Sequence, residues 1–169
     1  MRHAVKILYL PNYNLAAWGA LAYAKPGDAG FDLRAAIEEP ITLNRGHPVI
    51  VPAGFKIALP NHPDPYFTYE LQIRPRSGLA AKLGVTVLNS PGTVDFGYRG
   101  EVGVILYLAK KTGGLSPAYD GDVVEIQPGE RIAQGVLSIV PVAKFEVVSD
   151  EAALGNTVRG AGGFGSTGS

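Results

Sequence analysis

Apolar and polar residues alternate in short runs along most of the chain. The runs are Val5–Leu10, Phe31–Ala36, Val49–Val51, Phe55–Leu59, Phe67–Ile73, Val85–Asn89, Val102–Leu108, Val123–Ile126, Ile132–Val140 and Lys144–Val148. Such β-rich runs, bounded by Gly, Pro and Asn, predict β-strands, and within the first, Val5–Tyr9 alternates as a half-buried strand does. Only Gly78–Leu83 reads as helix, and it is a turn or two long. Many short strands without alternating helices predict an all-β sandwich or barrel rather than βαβ units. Two long loops interrupt the pattern, Pro60–Tyr66 with three prolines and Lys110–Gly121 around Gly113-Gly114. No repeat or compositional break divides residues 1–158, which read as one body. Residues 159–169 form a separate strip with Gly at 160, 162, 163, 165 and 168.

Composition narrows the function classes. With 22 Gly and 13 Pro the chain is too broken for a helical bundle, and 46% hydrophobic residues are too many for disorder. Fifteen basic residues balance fifteen acidic ones, leaving no charge footprint for nucleic acid or an anionic membrane. The absence of Cys excludes thiolate metal sites and cysteine nucleophiles, and His3, His47 and His62 have no ligand spacing. The apolar stretch Leu15–Ala24 follows Arg2 and Lys6 and ends Ala22-Tyr23-Ala24, the outline of a leader peptide. Pro11, Asn12 and Asn14 interrupt it after a strand-like start, which favours a packed connector and a cytoplasmic protein. Ten residues are too few to span a bilayer.

Polar residues concentrate in a few clusters. In Arg74–Lys82, Pro75 disfavours helix at Arg74 and Ser77 suits an N-cap, so Arg76, Ser77 and free helix amides can meet a phosphate; an ordinary capped helix is the alternative. In Asn89–Glu101 a Ser90-Pro91-Gly92 turn leads to Asp95 and Tyr98. A lone carboxylate three residues before an aromatic suits a general base beside a sugar-packing ring; a turn Asp and a core Tyr is the alternative. Gln134 brings an amide onto the longest strand. The tail carries Arg159 and Phe164 among glycines and hydroxyls. Gly160, Gly162 and Gly165 match G-x-G-x-x-G, but no helix follows and no acidic residue lies twenty positions on, so the dinucleotide reading fails. The strip either frays or orders over a ligand, with Arg159 on phosphate and Phe164 on a planar ring.

Five blocks in order, Ala29–Ala36, Pro75–Gly84, Asn89–Glu101, Gly129–Gln134 and Arg159–Gly168, closely resemble the homotrimeric dUTP diphosphatases (dUTPases) and span nearly the whole chain. The resemblance implies a distorted, jelly-roll-like β-barrel with one short helix. It implies a homotrimer with three active sites built at subunit interfaces. It further implies Mg²⁺-dependent hydrolysis of dUTP to dUMP and diphosphate, which keeps uracil out of DNA and supplies dUMP for thymidylate synthesis. On this chain Asp95 would activate the water that attacks the α-phosphorus, and Tyr98 would pack against the deoxyribose. Asn89 and the backbone of Gly92, Thr93, Val94 and Asp95 would hold uracil, with a backbone contact from Gly103. Arg76, Ser77, Gly78 and Gln134 would bind the phosphate chain. Arg159, Phe164, Gly165, Ser166 and Thr167 would close as a lid from a neighbouring subunit. Mg²⁺ would sit on triphosphate oxygens and waters, with Asp32 reaching it through water at most. The segments 11–23, 60–66 and 110–121 are longer than the family pattern, and Trp18 in the first is expected to anchor packing. Two other readings stand beside this one: a dCTP deaminase, which would need a catalytic glutamate, and a non-catalytic nucleotide-binding module.

Overall fold

The computed structural model describes residues 4–109 and 123–163. In it, most of the short runs form strands whose inward side chains are buried. Ten strands form: β1 (Lys6–Tyr9), β2 (Phe31–Arg34), β3 (Ile41–Asn44), β4 (Val49–Ala58), β5 (Phe67–Pro75), β6 (Val85–Val87), β7 (Gly92–Val94), β8 (Glu101–Leu108), β9 (Val123–Ile126) and β10 (Arg131–Pro141). One open sheet runs β1-β4-β8-β6, a second runs β2-β10-β5-β7, and β3-β9 forms a ribbon. Every strand pairing is antiparallel. The inward residues of all three, among them Leu33, Leu43, Phe55, Tyr69, Leu71, Val104, Leu106, Ile126 and Ile132, join in one core. Each such aliphatic or aromatic side chain contributes about 1.5–3 kcal/mol on burial. This is the all-β, jelly-roll-like arrangement expected. Among the described residues no helix is long and apolar enough to cross a membrane.

The expected helix runs Ser77–Leu83 (α2), pinned to the core by Leu79. A further single helical turn, Leu15–Trp18 (α1), and a 3-10 turn, Glu151–Leu154, lack any periodic signal at their four-residue length. Strands β3 and β7 were likewise not anticipated. The first is four residues long; the second is three and begins with Gly.

Three strand expectations need correction. Val49–Val51 and Phe55–Leu59 are not two strands but one, carried across Pro52-Ala53-Gly54 by a bulge where the β4–β8 register shifts. Gly54 makes the bulge possible at φ +76°, and a Cβ there would fall 2.7 Å from Ala36 Cβ. The run Val85–Asn89 pairs only as far as Val87. Lys144–Val148 forms no strand: among the described residues it pairs with no other strand, and Phe145 and Val147 are 90% and 97% exposed.

The connector 11–23 packs onto the body. Tyr13 is buried against Tyr9 and the edge of Trp18, with ring centroids 4.4 and 5.1 Å apart. Its hydroxyl donates to the Gly19 carbonyl at 2.9 Å, and burial, then the neighbouring Tyr9, raises its pKa. Trp18 lies over Gly129, where a Cβ would come 2.6 Å from the indole nitrogen. Trp18 therefore anchors the connector beside the Gly129–Gln134 block, as expected. The Lys110–Gly121 loop lies outside the described residues.

Candidate active site

The segment between β6 and β8 crosses the molecule. β6 pairs with β8 in the first sheet, yet β7 between them pairs with β5 in the second, placing Gly92 opposite Ile73 and Val94 opposite Leu71. This crossing opens a cavity of about 340 Å³ with walls from both sheets. Its lining contains Asn89, Gly92, Thr93, Val94, Asp95, Tyr98 and Gly103, all singled out in the sequence. Ile50, Ile73, Glu101, Val102 and Ile105 complete it. These were missed because they look like strand residues. A signal existed: Ile50 and Ile105 sit at outward positions of β4 and β8, where the alternation calls for polar residues, and Ile50 is 69% exposed. Gly103 leaves room beside Ile50; a Cβ there would approach the Ile50 side chain to 3.1 Å.

Asp95 and Tyr98 occupy one tight turn, closed by the Tyr98 N–H donating to the Asp95 carbonyl at 3.0 Å. The Arg99 guanidinium braces it on the Phe96 and Tyr98 carbonyls at 2.8 and 2.7 Å. Asp95 is exposed within the cavity lining, so its carboxylate is open to water. Tyr98 is 44% exposed and is no core aromatic. Its hydroxyl donates to the Glu101 carbonyl at 2.9 Å, and its ring covers Gly100, where any Cβ would collide with the phenol.

A second group forms where β2, β10 and β5 end together. Asp32 stands opposite Gln134, which stands opposite Arg74. β5 stops at Pro75, and Arg76 turns back so that its Nε donates to Asp32 Oδ1 at 3.0 Å and its Nη1 to the Arg131 carbonyl at 3.1 Å. Arg131 Nη1 reaches the other Asp32 oxygen at 3.2 Å. One carboxylate thus orients two guanidinium groups, a cationic surface suited to phosphate. Ser77 is not the N-cap expected. Arg76 holds that position in extended conformation without a side-chain cap, since Pro75 and the Asp32 pairing draw the chain out, and Ser77 and Gly78 open the helix exposed.

Among the described residues, the lining above includes none of Arg76, Ser77, Gly78, Gln134 or Arg159. Arg159 lies on the exposed C-terminal segment, its Nε donating to the Gly162 carbonyl at 2.9 Å. Phe164, Gly165, Ser166 and Thr167 lie outside the described residues. Among the described residues no three His, Cys, Asp or Glu side chains gather around one point. Asp32 is engaged by two arginines and Asp95 stands alone, a donor set that fits Mg²⁺ carried on a polyphosphate better than a metal caged by protein.

Comparison with known proteins follows these lines. The dUTPase family model matches residues 16–168. The deoxyuridine 5'-triphosphate nucleotidohydrolase of Chlamydia pneumoniae is 49% identical over 146 residues, covering 86% of this chain and 88% of the relative. That of Bdellovibrio bacteriovorus is 44% identical over 166 residues, covering 98% and 96%. In fold, the chain is similar to a mutant Staphylococcus bacteriophage 80alpha dUTPase solved with dUpNHpp, with a TM-score of 0.70 and 22% identity over 98% of this chain and 99% of that one. It is also similar to a mutant dUTPase of phage phi11 of S. aureus described with a structural Mg(II) ion, with a TM-score of 0.61 and 22% identity over 88% and 97%. A family match across nine-tenths of the sequence places this chain in the dUTPase family.

Proposed function

We infer that the protein hydrolyses dUTP to dUMP and diphosphate, and that the sheet-crossing cavity takes the deoxyuridine. The observation that carries this reading is the lining of that cavity, which joins backbone, a small polar side chain, an aromatic ring and one open carboxylate in a single place. Asn89 and the β7 backbone offer donors and acceptors to the edge of uracil. The tight turn leaves no room for a 5-methyl group, and Tyr98 closes the space a 2'-hydroxyl would need. Asp95 accepts a proton from the attacking water as oxygen bonds to the α-phosphorus; the bond to the β-bridging oxygen breaks, and diphosphate leaves. General-base help of this kind is worth roughly 10²–10⁴-fold.

Arg76, Ser77, Gly78 and Gln134 bind the phosphate chain, with Arg76 pre-aligned by Asp32. Asp32 would reach a Mg²⁺ ion through water at most; carried on phosphate oxygens and waters, such an ion would supply charge neutralisation to the polyphosphate. That these residues are not in the described lining of the cavity, and that Ile50 is exposed beside it, support a homotrimer whose copies complete each other's sites. Residues 1–158 form the β body, and residues 159–169 close from a neighbouring copy as a lid bearing Arg159 and Phe164–Thr167. The protein works in the cytoplasm on a free nucleotide, without nucleic acid or membrane as partner.

A nucleotide panel with Mg²⁺ tests the reading. Diphosphate release from dUTP, with dCTP, dTTP and UTP turned over far more slowly, is expected. Ammonia release from dCTP would point to a deaminase, and inactivity on every nucleotide to a binding module.

A further inference from the structure

The connector 11–23, an extension beyond the blocks that define the site, reaches the back of the cavity through one side chain. Asn12 Nδ2 donates to the Ala36 carbonyl at 3.1 Å and to Glu101 Oε1 at 2.9 Å. The same Glu101 oxygen receives the backbone N–H of Gly54 at 3.0 Å, at the bulge in β4. The Leu10 N–H donates to the Gly54 carbonyl at 2.8 Å, clipping the start of the connector to that bulge. One carboxylate oxygen therefore gathers the connector, the bulge and the first residue of β8. The main chain of Glu101 faces the other way in function: its carbonyl is the acceptor for the Tyr98 hydroxyl at 2.9 Å.

The geometry points to Glu101 and Asn12 as positioning residues for Tyr98, and through it as determinants of discrimination between 2'-deoxyribose and ribose. This rests on the reading of Tyr98 as the wall against the sugar. Two contacts set the ring: Gly100 beneath it and the Glu101 carbonyl at its hydroxyl. Gly100 offers only a surface to lie on. The carbonyl fixes where along that surface the phenol stops; the main chain that carries it pairs opposite Lys56 in β4, and the Glu101 side chain is tied from behind by the Asn12 and Gly54 bonds. A ring displaced by a fraction of an ångström reopens the space for a 2'-hydroxyl. The device needs an acceptor oxygen at position 101 rather than a negative charge, because both partners are neutral N–H donors.

The test compares kcat and KM for dUTP and UTP in Glu101→Gln, Glu101→Ala, Asn12→Ala and the control Tyr98→Ala, each on the full chain with its melting temperature recorded. Glu101→Gln keeps an acceptor and is expected to retain the wild-type preference. Glu101→Ala should lower the dUTP-to-UTP ratio of kcat/KM by about ten- to a hundred-fold, the scale on which ångström misplacement is felt. Its KM for dUTP should rise more than kcat falls. Asn12→Ala should shift the ratio in the same direction but less, since Gly54 still holds the carboxylate. If Tyr98→Ala lowers the ratio while Glu101→Ala changes only the melting temperature, the clamp is structural and the inference is overturned. If Tyr98→Ala leaves the ratio unchanged, the sugar-wall reading itself fails and takes the inference with it.

Discussion

Asp95 lines the cavity with its carboxylate open to water, on a turn closed by its own carbonyl and braced by Arg99. Because the turn is held by backbone and Arg99 contacts, Asp95→Asn should leave it intact and remove only the proton acceptor. Turnover of dUTP is expected to fall about 10²–10⁴-fold, with binding of the nucleotide, measured by calorimetry, nearly unchanged. Equal losses of affinity and rate would show that the carboxylate holds substrate instead. The sequence marked Asp95 because a lone acid three residues before an aromatic suits a general base beside a sugar, with an ordinary turn Asp as the commoner alternative. It gave no comparable sign of Asp32 as the carboxylate that aligns Arg76 and Arg131, since those residues are 44 and 99 positions away and meet only when three strands end together.

Among the elements, the bulge at Gly54 carries the most structural consequence. It lets β4 continue past Pro52 while turning one N–H toward Glu101, and its left-handed backbone leaves no space for a side chain beside Ala36 and Tyr13. Gly54→Ala should cost about 2–4 kcal/mol from strain and overlap, seen as a melting temperature lower by roughly 5–15 °C. The C-terminal strip contrasts with it. Its described part, 159–163, is exposed or half-buried, and its hydrogen bonds are local, as in the pairs Arg159–Gly162 and Gly160–Thr157. Deleting residues 159–169 should therefore cripple turnover of dUTP while moving the melting temperature by no more than about a degree or two. A large loss of stability would make the strip a structural element.

At the level of the whole molecule, Arg76 and its neighbours are not part of the described lining of the cavity around Asp95. If copies share their sites, two inactive variants should complement each other. Asp95→Asn supplies an intact tail, and the 159–169 deletion supplies an intact carboxylate. Co-refolded in equal amounts, the two are expected to regain a readily measured fraction of wild-type activity and to sediment as a trimer. A mixture as inactive as its parts would confine each site to one chain. The run Lys144–Val148 belongs to the same question. Its alternation is that of a strand, yet within one chain its apolar side chains face solvent.

The runs of strand-forming residues determined most of the fold by themselves, and Gly and Pro marked many of the strand ends, though not at Pro52–Gly54, where β4 runs on. Local sequence also determined the chemistry of the site, because Asn89 to Glu101 lie in one continuous segment whose residue types suit a polar ring, a sugar and a water. Tertiary structure alone decided how that segment is used. That β7 leaves its neighbours to pair with the opposite sheet, that Ile50 and Ile105 wall the cavity, and that Asn12 reaches Glu101 are long-range pairings, 89 residues apart in the last case. Such pairings follow from which edges and donors remain to be satisfied once the core has closed, and no local pattern encodes that remainder.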